Sequence, residues 1–296
     1  METNHNDLFV QRDMGIYVHI PFCKQKCIYC DFPAYQNLEE YYDTYIYALL
    51  QEITMFGDTY PKARTKLVDT VYLGGGTPTE LSLSQIEKII NTIQRTYNLS
   101  NDCRFTIESN PGEIDISYLK GLQKLGFSRI SFGVQTFNDT SLLSLHRSHN
   151  SKAAIDAVQW AAEVGFTDIN IDLIYGLPKQ TIEEIKENIT LVSKLPINHI
   201  STYGLQVERG TRLYHLVEKE LISLPDESLE DRMYETMMQG IQELGFERYE
   251  ISNFAKNGAY STHNLKYWQY RDYLGFGAGA HSFFEGIRRA NNRNVM

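Results

Sequence analysis

Through roughly its first two hundred residues the chain alternates between two spacings of apolar positions. Short segments rich in β-branched and aromatic residues, bounded by Gly or Pro, predict strands: GIYVHI, KLVDTVYL, CRFTIES, RISFGV, DINIDLIYG and HISTYGL. Helical spacing lies between them. In LSQIEKIINTIQ the residues Ile86, Ile89, Ile90 and Ile93 fall at i, i+3, i+4 and i+7, one face of a helix. EEYYDTYIYALLQEI, DISYLKGLQKLG, KAAIDAVQWAAEVG and TIEEIKENITLVSKL read the same way, and LQKLG and AAEVG end in a Gly suited to a left-handed cap.

Six βα units in succession predict a parallel sheet with crossover helices, doubly wound or curved into a barrel. Periodicity does not choose between the two. After about residue 207 the pattern changes. Residues 211–246 predict two helices broken at LPD, and an aromatic-rich segment follows, from RYEISNF to GAGAHSFF. The expected organisation is an N-terminal arm over 1–14, a βα core over 15–210 and an α+β extension over 211–296. No internal repeat or low-complexity tract interrupts it.

Chemistry on parallel sheets gathers at the carboxyl ends of the strands. The distinctive polar residues and glycines lie there: Cys23, the GGG after VYL, Glu108 after FTI, Gln135 after SFGV and Asp172 within NIDLIYG. Their convergence predicts one site.

Composition narrows the setting. The chain has 296 residues, 42% hydrophobic and 22% charged, an ordinary globular balance, with formal net charge −9. No run of Lys or Arg offers a nucleic-acid footprint. No apolar run reaches the roughly 20 residues of a membrane span, so no integral membrane segment is expected. The opening METNHNDLFVQRDMG lacks the basic-then-apolar layout of a secretory signal, so the chain reads as cytoplasmic. Thiols there stay reduced, and clustered cysteines hold metal or do redox chemistry.

Such a cluster is present. YVHIPFCKQKCIYCDFPAY places Cys23, Cys27 and Cys30 in a C-x3-C-x2-C spacing on one loop after a strand. The fourth cysteine, Cys103, shares a strand face with Phe105 and Ile107 and reads as a core residue. A structural zinc site needs four ligands, and a fourth would have to come from His19, Asp31 or further away. A [4Fe–4S] cluster held by three thiolates leaves one iron open to a non-protein ligand. A redox dithiol is the third alternative. GGGTPT lacks the lysine of a phosphate loop and the spacing of a dinucleotide loop; three consecutive glycines suit a backbone that approaches a ligand closely.

Taken together, the C-x3-C-x2-C loop after YVHIPF, with Tyr29 before the last Cys and GGGTPT one strand later, resembles the radical S-adenosylmethionine (SAM) superfamily. That resemblance implies an incomplete (β/α)6 TIM-like barrel, a [4Fe–4S] cluster on Cys23, Cys27 and Cys30, SAM chelated to the open iron, and an electron donor to the cluster. YVHIPFC, GGGTP, IESNPGE, SFGVQTF, HRSH and NIDLIYGLP, in this order, narrow it to the HemN/HemW group of oxygen-independent coproporphyrinogen III dehydrogenases and related heme chaperones. By that resemblance Tyr17, Gly75 and Glu108 belong to the contacts of the cluster-bound SAM, and Tyr29 to the SAM-binding residues. Gly76, Thr77, Gln135, Arg147 and Asp172 belong to further contacts of the SAM pocket.

Departures from the dehydrogenase pattern favour the chaperone. The dehydrogenase carries a further cysteine two residues after the third cluster Cys, where this chain has Phe32, and a long segment ahead of its first strand; only 14 residues precede Gly15 here. The chaperones share the CxF pattern and an HNxxYW segment, matched by His263, Asn264, Tyr267 and Trp268. The resemblance implies a protein that binds heme and passes it to acceptor proteins, with these four residues as heme candidates and His281 as a weaker one. Read without the family, Tyr267 and Trp268 are core aromatics and His263 a satisfied loop residue. Relatives continue into a further C-terminal domain, so truncation at Met296 is expected.

Overall fold

The computed structural model describes residues 13–295; the expected arm over 1–14 lies, apart from Asp13 and Met14, outside the described residues. The six predicted strands form, in order, β1 (Met14–Ile20), β2 (Leu67–Gly75), β3 (Asn98–Ser109), β4 (Phe127–Gln135), β5 (Asp168–Tyr175) and β6 (His199–Gly204). Each pairs in parallel with the next. The architecture is α/β, with the helices as crossovers. On β1, Met14, Ile16, Val18 and Ile20 are fully buried, and of its seven residues only Tyr17 is partly exposed. A strand buried on both faces is the expected signature of a covered parallel sheet.

The helices form where the periodicity places them. Leu83–Thr96 buries Ile86, Ile89, Ile90 and Ile93, and Ser82 and Gln85 close a reciprocal capping box at its start. Those four isoleucines belong to one continuous core with the strand interiors. β3 starts five residues earlier than expected: Asn98 and Leu99 pair with Leu67 and Val68 before an irregularity restores the register at Arg104. A short helix, Asp139–Ser144, was not legible; six residues hold less than two turns of periodic signal.

Residues 211–296 carry the two expected helices, Arg212–Glu218 and Glu227–Glu243. They also supply five strands: β7 (Glu247–Arg248), β8 (Asn253–Ala255), β9 (Tyr273–Phe276), β10 (His281–Phe284) and β11 (Ile287–Ala290). These extend the sheet at both ends, in the order β11–β10–β9–β1–β2–β3–β4–β5–β6–β8–β7. β9 lies parallel to β1, and β8 antiparallel to β6. β1 and β6 never pair with each other, so hydrogen bonds do not close the barrel. The carboxyl ends of the six core strands are left to surround one cavity.

Candidate functional site

The cysteine loop leaves the end of β1 and is tied down by backbone hydrogen bonds. Cys23 N–H donates to the Tyr35 carbonyl at 2.9 Å, and Tyr35 N–H to that of Pro21 at 2.7 Å. Ile28 N–H reaches the Leu145 carbonyl, while the Ile28 carbonyl accepts from Leu213 N–H. The loop also docks on the GGGTPT turn: Gly76 N–H donates to Ile20 and Thr77 N–H to Phe22, at 2.8 and 2.7 Å. A Cβ on Gly76 would sit 2.5 Å from the Phe22 carbonyl oxygen and 3.0 Å from Cys23 Sγ. Gly75 has φ +121°, and a side chain there would meet the His19 ring at 2.7 Å. These two glycines therefore answer to protein neighbours: Gly76 lets the turn touch the cysteine loop, and Gly75 clears the His19 ring on β1.

All three cluster candidates line one cavity of about 510 Å³. Cys23 is buried and accepts a hydrogen bond from Thr77 Oγ1 at 3.5 Å. Burial pushes its thiol up to about 12, and burial raises Cys30 as well. Cys27 instead faces a cation: Arg147 Nη1 donates to its Sγ at 3.1 Å. The Arg147 fork is fixed by its other end, where Nη2 donates to Asn110 Oδ1 and to the Gly133 carbonyl, each at 2.6 Å. Asn110 in turn donates to Thr77 Oγ1 at 3.0 Å, linking the Arg147 side of the cavity to the Cys23 side.

The carboxylates stand on the same wall. Glu108 accepts from Tyr72 Oη at 2.7 Å and from Gly75 N–H at 3.0 Å. Burial, together with the charge of Asp172, raises its pKa to about 7 despite those bonds. Asp172 accepts from Asn170 Nδ2 at 2.8 Å, and burial raises it too. Gln135 ends β4 at φ +68°, in the left-handed region that a long side chain seldom occupies. Tyr29 also borders the cavity and packs with Leu145, Ile174 and Leu177. With Gly75, Gly76, Thr77 and Arg147, eleven of the twelve residues expected for cluster and SAM converge here.

The twelfth, Tyr17, lines an adjoining cavity of about 620 Å³ with Tyr267 and His281. Its hydroxyl pairs with His19 Nδ1 at 3.0 Å. Asp31 and Phe32 border both cavities. His263 lies on the helix Thr262–Trp268, buried, with both ring nitrogens engaged: Nδ1 with Thr70 Oγ1 and Nε2 with Tyr267 Oη, each at 2.9 Å. Burial, reinforced by Lys266, lowers its pKa to about 3. Trp268 is 52% exposed and does not line this cavity; Asn264 lies on the same helix, its N–H donating to the Ser261 cap. Cys103 packs against the core on β3, away from the site.

Residues missed from the sequence complete the first cavity. Asn110 within ESNPGE and Ser131 on β4 are short polar side chains with no motif of their own. Tyr203 at the end of β6 was signalled only by its strand-end position. Among the described residues no three His, Cys, Asp or Glu side chains converge on a single ion. Three thiols on one loop with a guanidinium beside Cys27, and among the described residues no fourth donor grouped with them, suit a multi-iron core with one open corner better than a four-ligand zinc site. Its positive irons would favour the thiolate forms that burial opposes in Cys23 and Cys30.

Comparison with known proteins agrees with this reading. Residues 17–192 match the Radical SAM superfamily. The heme chaperone HemW of Bacillus subtilis is 41% identical over 276 residues, covering 93% of this chain and 72% of that protein. HemW of Escherichia coli is 35% identical, covering 90% and 69%. The structure of coproporphyrinogen III oxidase (HemN) from Escherichia coli, a radical SAM enzyme, superposes with TM-score 0.84 at 25% identity, covering 98% of this chain and 69% of that one.

Proposed function

The chain belongs to the radical SAM superfamily, in its HemN/HemW group, and from that premise we propose that it is a cytoplasmic heme chaperone, binding heme and handing it to acceptor proteins. Cys23, Cys27 and Cys30 would hold a [4Fe–4S] cluster. With SAM and an electron donor bound, such a cluster would supply reductive cleavage of the SAM sulfonium bond. The chain's own residues bind and orient. Glu108 and Asp172 accept from an amine or ribose hydroxyls, and Gln135 both donates and accepts. Arg147 holds Cys27 in place and adds positive charge beside it. Gly76 and Thr77 set the separation between the SAM-facing turn and the cysteine loop, and Gly75 leaves room for the His19 ring.

The observation that carries this reading is the meeting of the three thiols with Glu108, Gln135, Arg147 and Asp172 in one cavity. The chaperone assignment rests on the similarity to HemW proteins and on Phe32 where the dehydrogenase carries a further cysteine. Of the heme candidates, Tyr267 lines the second cavity and its hydroxyl is engaged by His263 at 2.9 Å.

A paired assay on anaerobically reconstituted protein tests the proposal. Hemin should bind, and coproporphyrinogen III with SAM and reductant should remain unconverted. Conversion to protoporphyrinogen would replace the chaperone by the dehydrogenase.

A further inference from the structure

We infer that His199 is a positioning residue for the first cavity: its imidazole fixes the Asn170 amide, and that amide delivers its NH2 group to Asp172 in the cavity wall. This deepens the SAM reading of the cavity and rests on it. Strand register makes the juxtaposition. Ser131 on β4 lies across from Asn170 on β5, and Asn170 across from His199 on β6, so the three form one row. Asp172 stands two residues further along β5, on the same face. Every member of the row is buried, His199 completely.

Hydrogen-bonding capacity decides how the row is oriented. Asn170 Nδ2 donates to Ser131 Oγ at 2.7 Å and to Asp172 Oδ1 at 2.8 Å, which engages both amide hydrogens. Asn170 Oδ1 faces the other way, where Ser201 Oγ donates at 3.3 Å and His199 Nδ1 stands at 2.6 Å. An amide oxygen only accepts, so His199 Nδ1 must carry the proton. Nε2 is left to accept, and Tyr249 Oη lies 2.7 Å from it. Ser261 N–H donates to that same oxygen at 3.1 Å, which leaves the Tyr249 hydroxyl hydrogen for His199. Each donor from Tyr249 to Asp172 meets an acceptor.

The ring is neutral, because burial, reinforced by the Arg129 charge, holds its pKa well below the ordinary value. A neutral imidazole has two tautomers, and only one serves this row. With the proton on Nε2, Nδ1 would call for a donor and the Asn170 amide would turn over. Its oxygen would then meet the Asp172 carboxylate, acceptor against acceptor. His199 therefore acts on the pocket only through Asn170. Tyr249, just after β7, ties the C-terminal extension into the same chain of bonds.

Two measurements test this. Nitrogen NMR of isotopically labelled histidine rings in the cluster-free wild type should show a protonated Nδ1 and a bare Nε2 for His199, assigned by the signal lost in His199→Asn. Equilibrium dialysis of SAM against anaerobically reconstituted protein should show about tenfold weaker binding by His199→Leu, the loss expected when a bond to a charged group is no longer held in place. His199→Asn, whose amide can donate to Asn170 from near the place of Nδ1, should recover most of that affinity. Circular dichroism and iron content check each fold, and if His199→Leu does not fold the wild-type tautomer decides. A protonated Nε2, equal SAM affinity in folded His199→Leu, or a loss as large in His199→Asn would overturn the positioning role and leave the SAM reading intact. A wild type that binds no SAM would defeat both.

Discussion

Arg147 and Cys27, 120 residues apart in the chain, meet through a 3.1 Å hydrogen bond from guanidinium to thiol sulfur. That contact joins the short segment after Asp139–Ser144 to the loop after β1, and puts a fixed positive charge at one corner of the proposed cluster site. Arg147→Ala should lower the reduction potential of the reconstituted cluster, because the added electron loses a stabilising charge. A decrease on the order of 60 mV, tenfold in a one-electron equilibrium, is expected. A redox titration monitored by electron paramagnetic resonance measures it; an unchanged or higher potential would show that Arg147 does not act on the cluster.

Glu108 gives a pH signature in the cofactor-free chain. Its pKa rises from 4.5 to about 7 on folding, by burial first and the Asp172 charge second. The native state therefore holds the proton more tightly than the unfolded state. Its contribution to stability is full below pH 4.5 and is lost as pH climbs to about 7. The rise corresponds to about 3 kcal/mol at most. Glu108→Gln should flatten the fall in stability between these pH values and leave the variant more stable than wild type at pH 8. Denaturant unfolding across that range would show it, and parallel profiles for the two proteins would exclude the effect.

Gly76 is the point where the two loops touch. Gly76→Ala should push the Phe22 carbonyl and Cys23 Sγ away, since its Cβ would lie 2.5 and 3.0 Å from them. The expected cost is about 1–3 kcal/mol, the range for overpacking a filled site. Because the clash falls on the cysteine loop, iron retention after reconstitution should drop more than thermal stability. Full iron content in a folded Gly76→Ala protein would count against the close approach.

Much of this was legible in the chain. The six strands and the helix of Ile86, Ile89, Ile90 and Ile93 follow from periodicity, because each buries a face against one continuous core. The convergence of the candidate residues was legible because parallel strands deliver their carboxyl ends to one place. The C-terminal strands were not. β10 and β11 are four residues each, joined by Glu285 and Gly286 at φ 51° and 77°, and Glu-Gly is a weaker hairpin signal than Asn-Gly. Nor could the sequence show that HNLKYW turns its histidine inward. That orientation follows from Thr70 on β2, far away in the chain, which offers His263 a partner.

His263 accordingly behaves as a buried structural residue in its own right. His263→Ala should leave Thr70 and Tyr267 without partners and destabilise the fold by about 1–3 kcal/mol, seen as a lowered thermal midpoint. A variant as stable as wild type would mean that those two bonds are not maintained in solution.

The most direct measurement is iron and sulfide content, with electron paramagnetic resonance of the reduced protein, for wild type and for Cys23→Ser, Cys27→Ser and Cys30→Ser reconstituted without oxygen. The expected result is about four irons and four sulfides in wild type, as in a [4Fe–4S] centre, and loss of that centre in every variant, with Cys103→Ser unaffected. Stoichiometric zinc in place of iron, or iron retained when any of the three thiols is removed, would contradict a cluster held at three corners.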